Sequence, residues 1–425
     1  MKKLLTLLFM VALFASTANA QWTSQGDFWP DSIYTGGTHG IAVDPDGKVW
    51  VSSYFKDVPF GPDSISTSGI LVFNPDGTPA SFSPICTVAT GGGFVVDTLN
   101  GHCRGLGVMP DGNIIYVQST TNKMFKIDYK TGEGIARHDL TELKDGGMSP
   151  TAPGIAADGT IFVGPVVGGT GTQIAMYDAD LNYVASAVDA PPAIARTLEV
   201  SSDGLTLYWM PFTAHKVYVY KRNDEFSPFN MADSILEDWS VESSAWNPAT
   251  GKLWVSNDPR GDTSLTGPIW AEFDAETNQL TGVQFAWDNP VDGEYARGID
   301  FSPDGKIAYV GTFSTGTARI RKYVNEGTDV KELGTGVPSE FNLSQNYPNP
   351  FNPTTVINFS IPESGLVTLK VYNTLGQEVA ELVNAVKAAG NYEVNFDASQ
   401  LATGMYIYKI QAGNFTATKK MMLLK

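Results

Sequence analysis

Three arginines and a histidine recur at one position of an internal repeat, and no other polar side chains in this chain are better placed for chemistry. Aligning six repeat units by their turns puts His39, Arg104, Thr151, Arg196, Glu242 and Arg297 at equivalent places, each at the entrance of an apolar segment. Guanidinium groups recognise carboxylates and phosphates through paired hydrogen bonds, so a ring of this composition points to an anion site. Glu242 is set to pair with one arginine, leaving the others for a ligand. The competing role is mechanical: repeat proteins reuse such side chains as struts that bond to the loop carbonyls of the next unit.

The remaining candidates are weaker. Asp288, Asn289, Asp292 and Glu294 make an oxygen-rich loop that is a candidate for Ca²⁺, but it lacks the ordered EF-hand spacing and reads first as a solvated turn. No other cofactor is indicated, since the four His and two Cys form no His-x-x-x-His or paired-Cys ligand set. Cys86 and Cys103 bracket a Gly-rich insertion and are expected to form a disulfide outside the cytoplasm, which would contribute about 3 kcal/mol by chain entropy. The alternative is a nucleophilic cysteine served by His102. Trp50, Phe162, Trp254 and Tyr309 recur on the second segment of their units; sugar stacking is one reading, but the repeat position favours a core between units. Arg260-Gly261-Asp262 reads as an exposed turn of chance composition.

The elements that position these residues are legible. Each unit runs apolar segment, tight turn, apolar segment, as in Gly40-Ile41-Ala42-Val43-Asp44-Pro45-Asp46-Gly47-Lys48-Val49-Trp50-Val51. The turn glycines are Gly47, Gly112, Gly159, Gly204, Gly251 and Gly305, and Gly supplies the positive φ that a tight hairpin turn needs. A third apolar segment follows each hairpin, from Ile70 to Phe73 in the first unit and from Ile320 to Val324 in the last, and often a weaker fourth. Four short strands in a unit of this length form a propeller blade, and apolar residues on both faces suit stacked blades. Six units give six blades, with residues 21–29 expected to add the outer strand of the last blade and close the ring.

Composition agrees. Gly 43 and Pro 25 with only 17% charged residues suit a turn-rich all-β chain, and 42% hydrophobic residues suffice for sizeable cores. The net charge of −17 disfavours nucleic-acid partners. It is unevenly spread: residues 21–340 hold 20 Lys+Arg and 40 Asp+Glu, whereas residues 341–425 hold 6 and 5. The break predicts a propeller over 21–333, a linker over 334–340 and a small Ig-like β-sandwich over 341–425. Residues 1–20, with Lys2 and Lys3, a short apolar run and Ala18-Asn19-Ala20, read as a secretory signal peptide; the run is too short to span a membrane, and no transmembrane segment is expected.

The C-terminal segment resembles the sorting domain of proteins exported by the type IX secretion system, in the subtype similar to flagellar hook-cap Ig-like domains. The residues that carry the likeness are Asn346 to Thr355, Val371-Tyr372-Asn373-Thr374-Leu375-Gly376-Gln377-Glu378-Val379, Gly404-Met405-Tyr406 and Lys419-Lys420-Met421. The resemblance implies passage across a Gram-negative outer membrane, recognition by the secretion translocon, and release or surface attachment. The repeat resembles six-bladed propellers of the NHL, SMP-30/gluconolactonase and streptogramin-lyase-like group. The SMP-30 family carries Glu-Gly-Pro at its first inner strand, where this chain has Thr38-His39-Gly40 and no carboxylate. The expected function is therefore binding of an extracellular ligand, an anion at the mouth, or of a protein partner at one propeller face. The alternative is a lactonase-like hydrolase or streptogramin-lyase-like enzyme in the channel mouth, and a third reading is a structural envelope component.

Overall fold

The computed structural model describes residues 22–28, 38–53, 58–60, 65–67, 69–93, 95–99, 102–143, 149–259, 262–288, 290, 294–313, 320–325, 330–332, 338, 340–363, 365–387, 389–399 and 401–425. The expected signal peptide at 1–20, Asn289, Asp292, Arg260, Gly261 and most of the expected linker lie outside them. Contacts divide the chain into two compact units, one spanning Trp22–Asn325 and the other holding the residues from Glu326 onward.

The first unit is a six-bladed β-propeller. Blade one pairs Thr38–Val43, Val49–Ser53 and Ile70–Phe73, with single bridges from Ile70 to Ile85 and Phe73 to Pro79 in place of a fourth ladder. The next four blades are each four-stranded antiparallel sheets, with inner strands Cys103–Val108, Gly154–Ile155, Thr197–Val200 and Ser244–Trp246. Blade six takes Tyr295–Phe301, Ile307–Phe313 and Ile320–Asn325, and its outer strand is Trp22–Asp27 from the other end of the chain. Trp22 stands opposite Asn325 and Ser24 opposite Tyr323, so the ring is closed by backbone pairing. The six turn glycines have φ between 65° and 89°, a range that side-chain-bearing residues rarely adopt.

The core lies between blades. One apolar cluster joins blades one and two through Trp50, Val72, Leu106 and Tyr116; another joins blades three and four through Phe162, Leu198 and Trp209. A third joins blades five and six, where Trp22 meets Trp254 edge-on at 5.3 Å and also touches Phe285 and Phe301. Trp50, Phe162, Trp254 and Tyr309 are buried here, as their repeat position implied. Large apolar side chains on both sheet faces drive this stacking, since each buried aromatic removes a wide area from water.

The second unit is a β-sandwich of two four-stranded sheets. One orders Val330–Glu332, Gly390–Asp397, Thr354–Ile361 and Asn342–Leu343; the other orders Glu378–Lys387, Gly365–Tyr372, Gly404–Ala412 and Phe415–Leu423. Inward residues alternate with outward ones, as in Val367, Leu369 and Val371 or Tyr406, Tyr408 and Ile410, and they meet in a single apolar cluster. Val330–Glu332 falls inside the expected propeller range of 21–333, yet it pairs with Tyr392–Val394 of the sandwich. Backbone hydrogen bonding, which charge does not report, decides where that strand belongs.

Candidate functional site

The propeller axis encloses a cavity of about 430 Å³. Two levels of the inner strands make room for it. At the upper level stand Gly40, Gly105, Ala152, Thr197, Ser243 and Gly298, all small and all lining the cavity. A Cβ on Gly105 would lie 2.2 Å from that of Ala152, so adjacent inner strands approach as closely as they do because this side chain is absent. Two residues further along, the equivalent positions are Ala42, Gly107, Gly154, Glu199, Ala245 and Asp300, paired in register with Trp50, Ile115, Phe162, Tyr208, Trp254 and Tyr309. Four of the six are Gly or Ala, and the other two are acids.

The ring of polar residues lies just before the upper level. Strand pairing passes from Thr38 to Gly40, from Cys103 to Gly105 and from Ala296 to Gly298 with a shift in register at each. His39, Arg104 and Arg297 are therefore the extra residues of three β-bulges, a device that turns a side chain out of the alternating pattern of its strand. Serines on the neighbouring strand do similar work at the fifth blade, where the N–H groups of Glu242 and Ser243 both donate to Ser256 Oγ, at 3.0 and 3.1 Å.

These residues meet. The Glu242 carboxylate takes Nη1 of both Arg196 and Arg297, joining blades four, five and six. Arg297 Nε donates to His39 Nε2 at 3.2 Å, and Arg297 Nη1 to the Ala296 carbonyl at 2.6 Å. An Nε2 that accepts belongs to a neutral imidazole with its proton on Nδ1. The surroundings agree: burial holds the His39 pKa well below the ordinary range, and the charges of Arg297, Arg104 and Arg196 push it the same way. Arg104 lines the cavity and its Nε donates to Ser149 Oγ at 3.0 Å. The Arg196 guanidinium stacks on Phe212 at 4.3 Å, and Arg297 on Phe313 at 5.0 Å. Thr151 stands apart in role: it pairs with Gly164 within its own blade, donating from N and accepting at Oγ1. With His39 neutral, the charged groups at this end of the cavity wall are the guanidiniums of Arg104 and Arg297 beside the carboxylate of Glu242.

The two acids at the lower level were not singled out by the sequence reading. Glu199 Oε1 accepts from Ser244 Oγ at 2.9 Å, and burial pushes its pKa up to about 8, with the Asp300 charge adding to the rise. Asp300 accepts the N–H of Val43 at 2.7 Å and that of Phe301 at 2.8 Å, yet burial still raises its pKa to about 7. Both line the cavity. The available signal was a carboxylate inside an apolar segment, Leu198-Glu199-Val200 and Ile299-Asp300-Phe301, where the other units carry Ala or Gly.

The other candidates resolve differently. Cys86 and Cys103 are both buried and are not joined to each other, so the structure does not hold the expected disulfide. The Cys103 thiol sits in the core of the first two blades and donates to the Gly105 carbonyl at 3.1 Å. Burial raises its pKa to about 11, which also removes it as a nucleophile for His102. At the candidate Ca²⁺ loop, Asp288 is held by Arg321 and by the Tyr323 hydroxyl, and Glu294 Oε1 accepts from Thr312 at 3.2 Å. Among the described residues no group of three or more His, Cys, Asp or Glu is arranged to hold a metal. Asp262 accepts from Ser264 as an ordinary turn residue.

In the second unit the polar interior is a loop lock. Asn346 is 2% exposed; its Nδ2 donates to Thr355 Oγ1 at 2.9 Å and to the Pro348 carbonyl at 3.1 Å. Thr355 Oγ1 donates to the same carbonyl, and the Tyr408 hydroxyl receives the Asn346 N–H while donating to the Ser344 carbonyl. This holds the Pro-rich segment, which cannot form a regular strand, against the sheets.

Residues 345–424 match the secretion system C-terminal sorting domain family. The sorting domain directs the chain to the cell surface or beyond it. No helix among the described residues is long and apolar enough to cross a membrane. No curated protein matches the chain in sequence. Among solved structures, a streptogramin B lyase shares 15% identity at a TM-score of 0.48, over 72% of this chain and 98% of that one. Regucalcin, a calcium-binding protein from Agrobacterium tumefaciens, shares 12% at 0.46 over 69% and 91%. A gluconolactonase from Xanthomonas campestris shares 16% at 0.42 over 70% and 88%. These are propellers like the unit that precedes the sorting domain.

Proposed function

We propose that the propeller is a secreted binding module that takes an anionic ligand at the arginine-bearing mouth of its axial channel, while the sorting domain serves export. The observation that carries this reading is the triple bulge. Three blades spend a strand irregularity on His39, Arg104 and Arg297, and all three line the cavity on the axis. Desolvation inside the channel strengthens attraction for an incoming anion. The test is titration of the full chain with succinate and inorganic phosphate by calorimetry. Arg104→Ala should weaken binding by about tenfold or more with little change in melting temperature, in line with loss of a charge-assisted bond. A fall in melting temperature with binding unchanged would make Arg104 a strut instead.

A second reading, a lyase or hydrolase in the same channel, draws on Glu199 and Asp300. Carboxyls titrating near neutral pH suit proton transfer. It requires turnover of some channel ligand that is lost in Glu199→Gln and Asp300→Asn while binding persists.

A further inference from the structure

The cavity has two chemically opposite ends, and from this we infer that its ligand is a short zwitterion, with a carboxylate at the arginine ring and an ammonium at Glu199 and Asp300. The inference rests on the anion reading above and extends it to the other end of the molecule bound.

The spacing comes from the strands. Arg297 and Asp300 are three residues apart on one inner strand, Tyr295–Phe301, and Glu199 lies on another, Thr197–Val200, which Arg196 immediately precedes. At about 3.3 Å per residue, the arginine ring and the two acids are about 10 Å apart along the strand. Between them the wall is small or hydroxylic, with Gly40, Gly105, Thr197 and Ser243, and the Trp246 ring lines one side. An extended chain covers about 3.3–3.6 Å per residue, so a tripeptide places its two termini at about the required separation.

The charges fit the same occupant. Glu199 and Asp300 lie on blades four and six, near enough for the charge of one to act on the other. Each keeps part of its surface on the cavity. Asp300 has two backbone donors, Glu199 has the Ser244 hydroxyl and the Trp246 indole, and no cation stands among the residues of their level. The other charged groups lining the cavity are His39, Asp44, Arg104, Glu242 and Arg297; Asp44 is engaged by the Trp50 indole and its own turn, and the rest belong to the ring. An ammonium between the two carboxylates would replace the water they lose on burial, and the carboxylate at the opposite end would meet the guanidinium groups of Arg104 and Arg297 that line that end of the cavity. A dianion such as phosphate satisfies only the ring, and a plain amine only the acids.

The experiment uses the full chain and three probes: triglycine, N-acetyl-triglycine without the ammonium, and triglycinamide without the carboxylate. Calorimetry, with Trp246 fluorescence as a second readout, should show triglycine binding at least about tenfold more tightly than either blocked form. Glu199→Gln should abolish the preference for triglycine over its acetylated form, and Arg104→Ala the preference over its amide, with thermal melts showing both variants folded. If N-acetyl-triglycine binds as well as triglycine, the zwitterion is excluded and the anion site stands. If triglycinamide binds as well as triglycine, or if neither triglycine, succinate nor phosphate binds, the anion site falls and this inference with it.

Discussion

In the propeller the polar side chains of the inner strands gather around a cavity, whereas in the sandwich Asn346 and Thr355 turn inward and satisfy one another. In the propeller ring Arg196 and Arg297 share the Glu242 carboxylate, and two further acids sit where burial resists their ionisation. The sandwich spends its buried amide and hydroxyl on holding a Pro-rich loop, and every partner is a neighbour in the same lock. Groups that are matched locally serve the fold. Charged groups gathered around open space are the ones that ask for a ligand. The two units also differ in charge, with the strongly acidic propeller followed by a nearly neutral sorting domain.

The sharpest break between the units is a deletion. Removing residues 341–425 should abolish appearance of the protein outside the cell, while circular dichroism and melting of the retained propeller stay close to those of the full chain. Each unit has apolar clusters of its own. Export of the truncated chain at normal yield would break the division of labour.

The next effect lies within the ring. Glu242→Ala leaves Arg196 and Arg297 facing each other without their shared carboxylate, and removing one partner of a buried pair costs about 3–5 kcal/mol. Urea denaturation should show this loss in the propeller transition alone. An unchanged midpoint would mean that the ring tolerates free cations and that Glu242 is not its keystone.

How far all this was legible follows from what each feature asks of its residues. Six blades could be counted because every hairpin needs a positive φ, and Gly47, Gly112, Gly159, Gly204, Gly251 and Gly305 mark it. Ring closure by Trp22–Asp27 followed from the missing fourth strand of the last unit. The ring positions followed from alignment, but the bulges did not, since an extra residue in a strand leaves no mark in residue type. Nor did the sharing of Glu242 by two arginines, which depends on blades brought together by closure. Glu199 and Asp300 were visible as acids in apolar runs and were passed over because each unit was read for its pattern rather than its exceptions. The cysteine pairing was inferred from compartment and count, and neither reports where buried thiols point.

The sorting domain offers a smaller test of the comparison. Asn346→Ala removes two donated hydrogen bonds from a buried lock and leaves the Pro348 carbonyl with Thr355 alone. A loss of about 1–3 kcal/mol is expected. It should appear in the unfolding of the sandwich and leave the propeller transition in place. Equal destabilisation of both transitions would mean that the units do not unfold independently.

The smallest effect is a dependence on pH, and it separates the two kinds of polar group most directly. Glu199 has its pKa raised in the folded chain to about 8, above its ordinary value of 4.5. The folded state therefore holds a proton that the unfolded chain has already released. Stability falls as pH rises from about 4.5 through about 8, because folding must then either keep that proton or bury a charge. Asp300, raised from 3.8 to about 7, adds a decline over an overlapping window, so the pair titrates as a coupled unit. Glu199→Gln carries no titrating proton, and its amide oxygen can still accept from Ser244. The variant should lose less stability than the parent between pH 5 and pH 8, measured as the shift in urea midpoint, with the remaining decline belonging to Asp300. The Asn346 lock contains no group that titrates between pH 5 and pH 8, the Tyr408 phenol being pushed up to about 12 by burial, so the sandwich transition of the Asn346→Ala variant should differ from its parent by the same amount at both pH values. Parallel pH profiles for Glu199→Gln and the parent would show that Glu199 is ionised in the folded chain throughout, and the lower level of the channel would then be a site already charged before any ligand arrives.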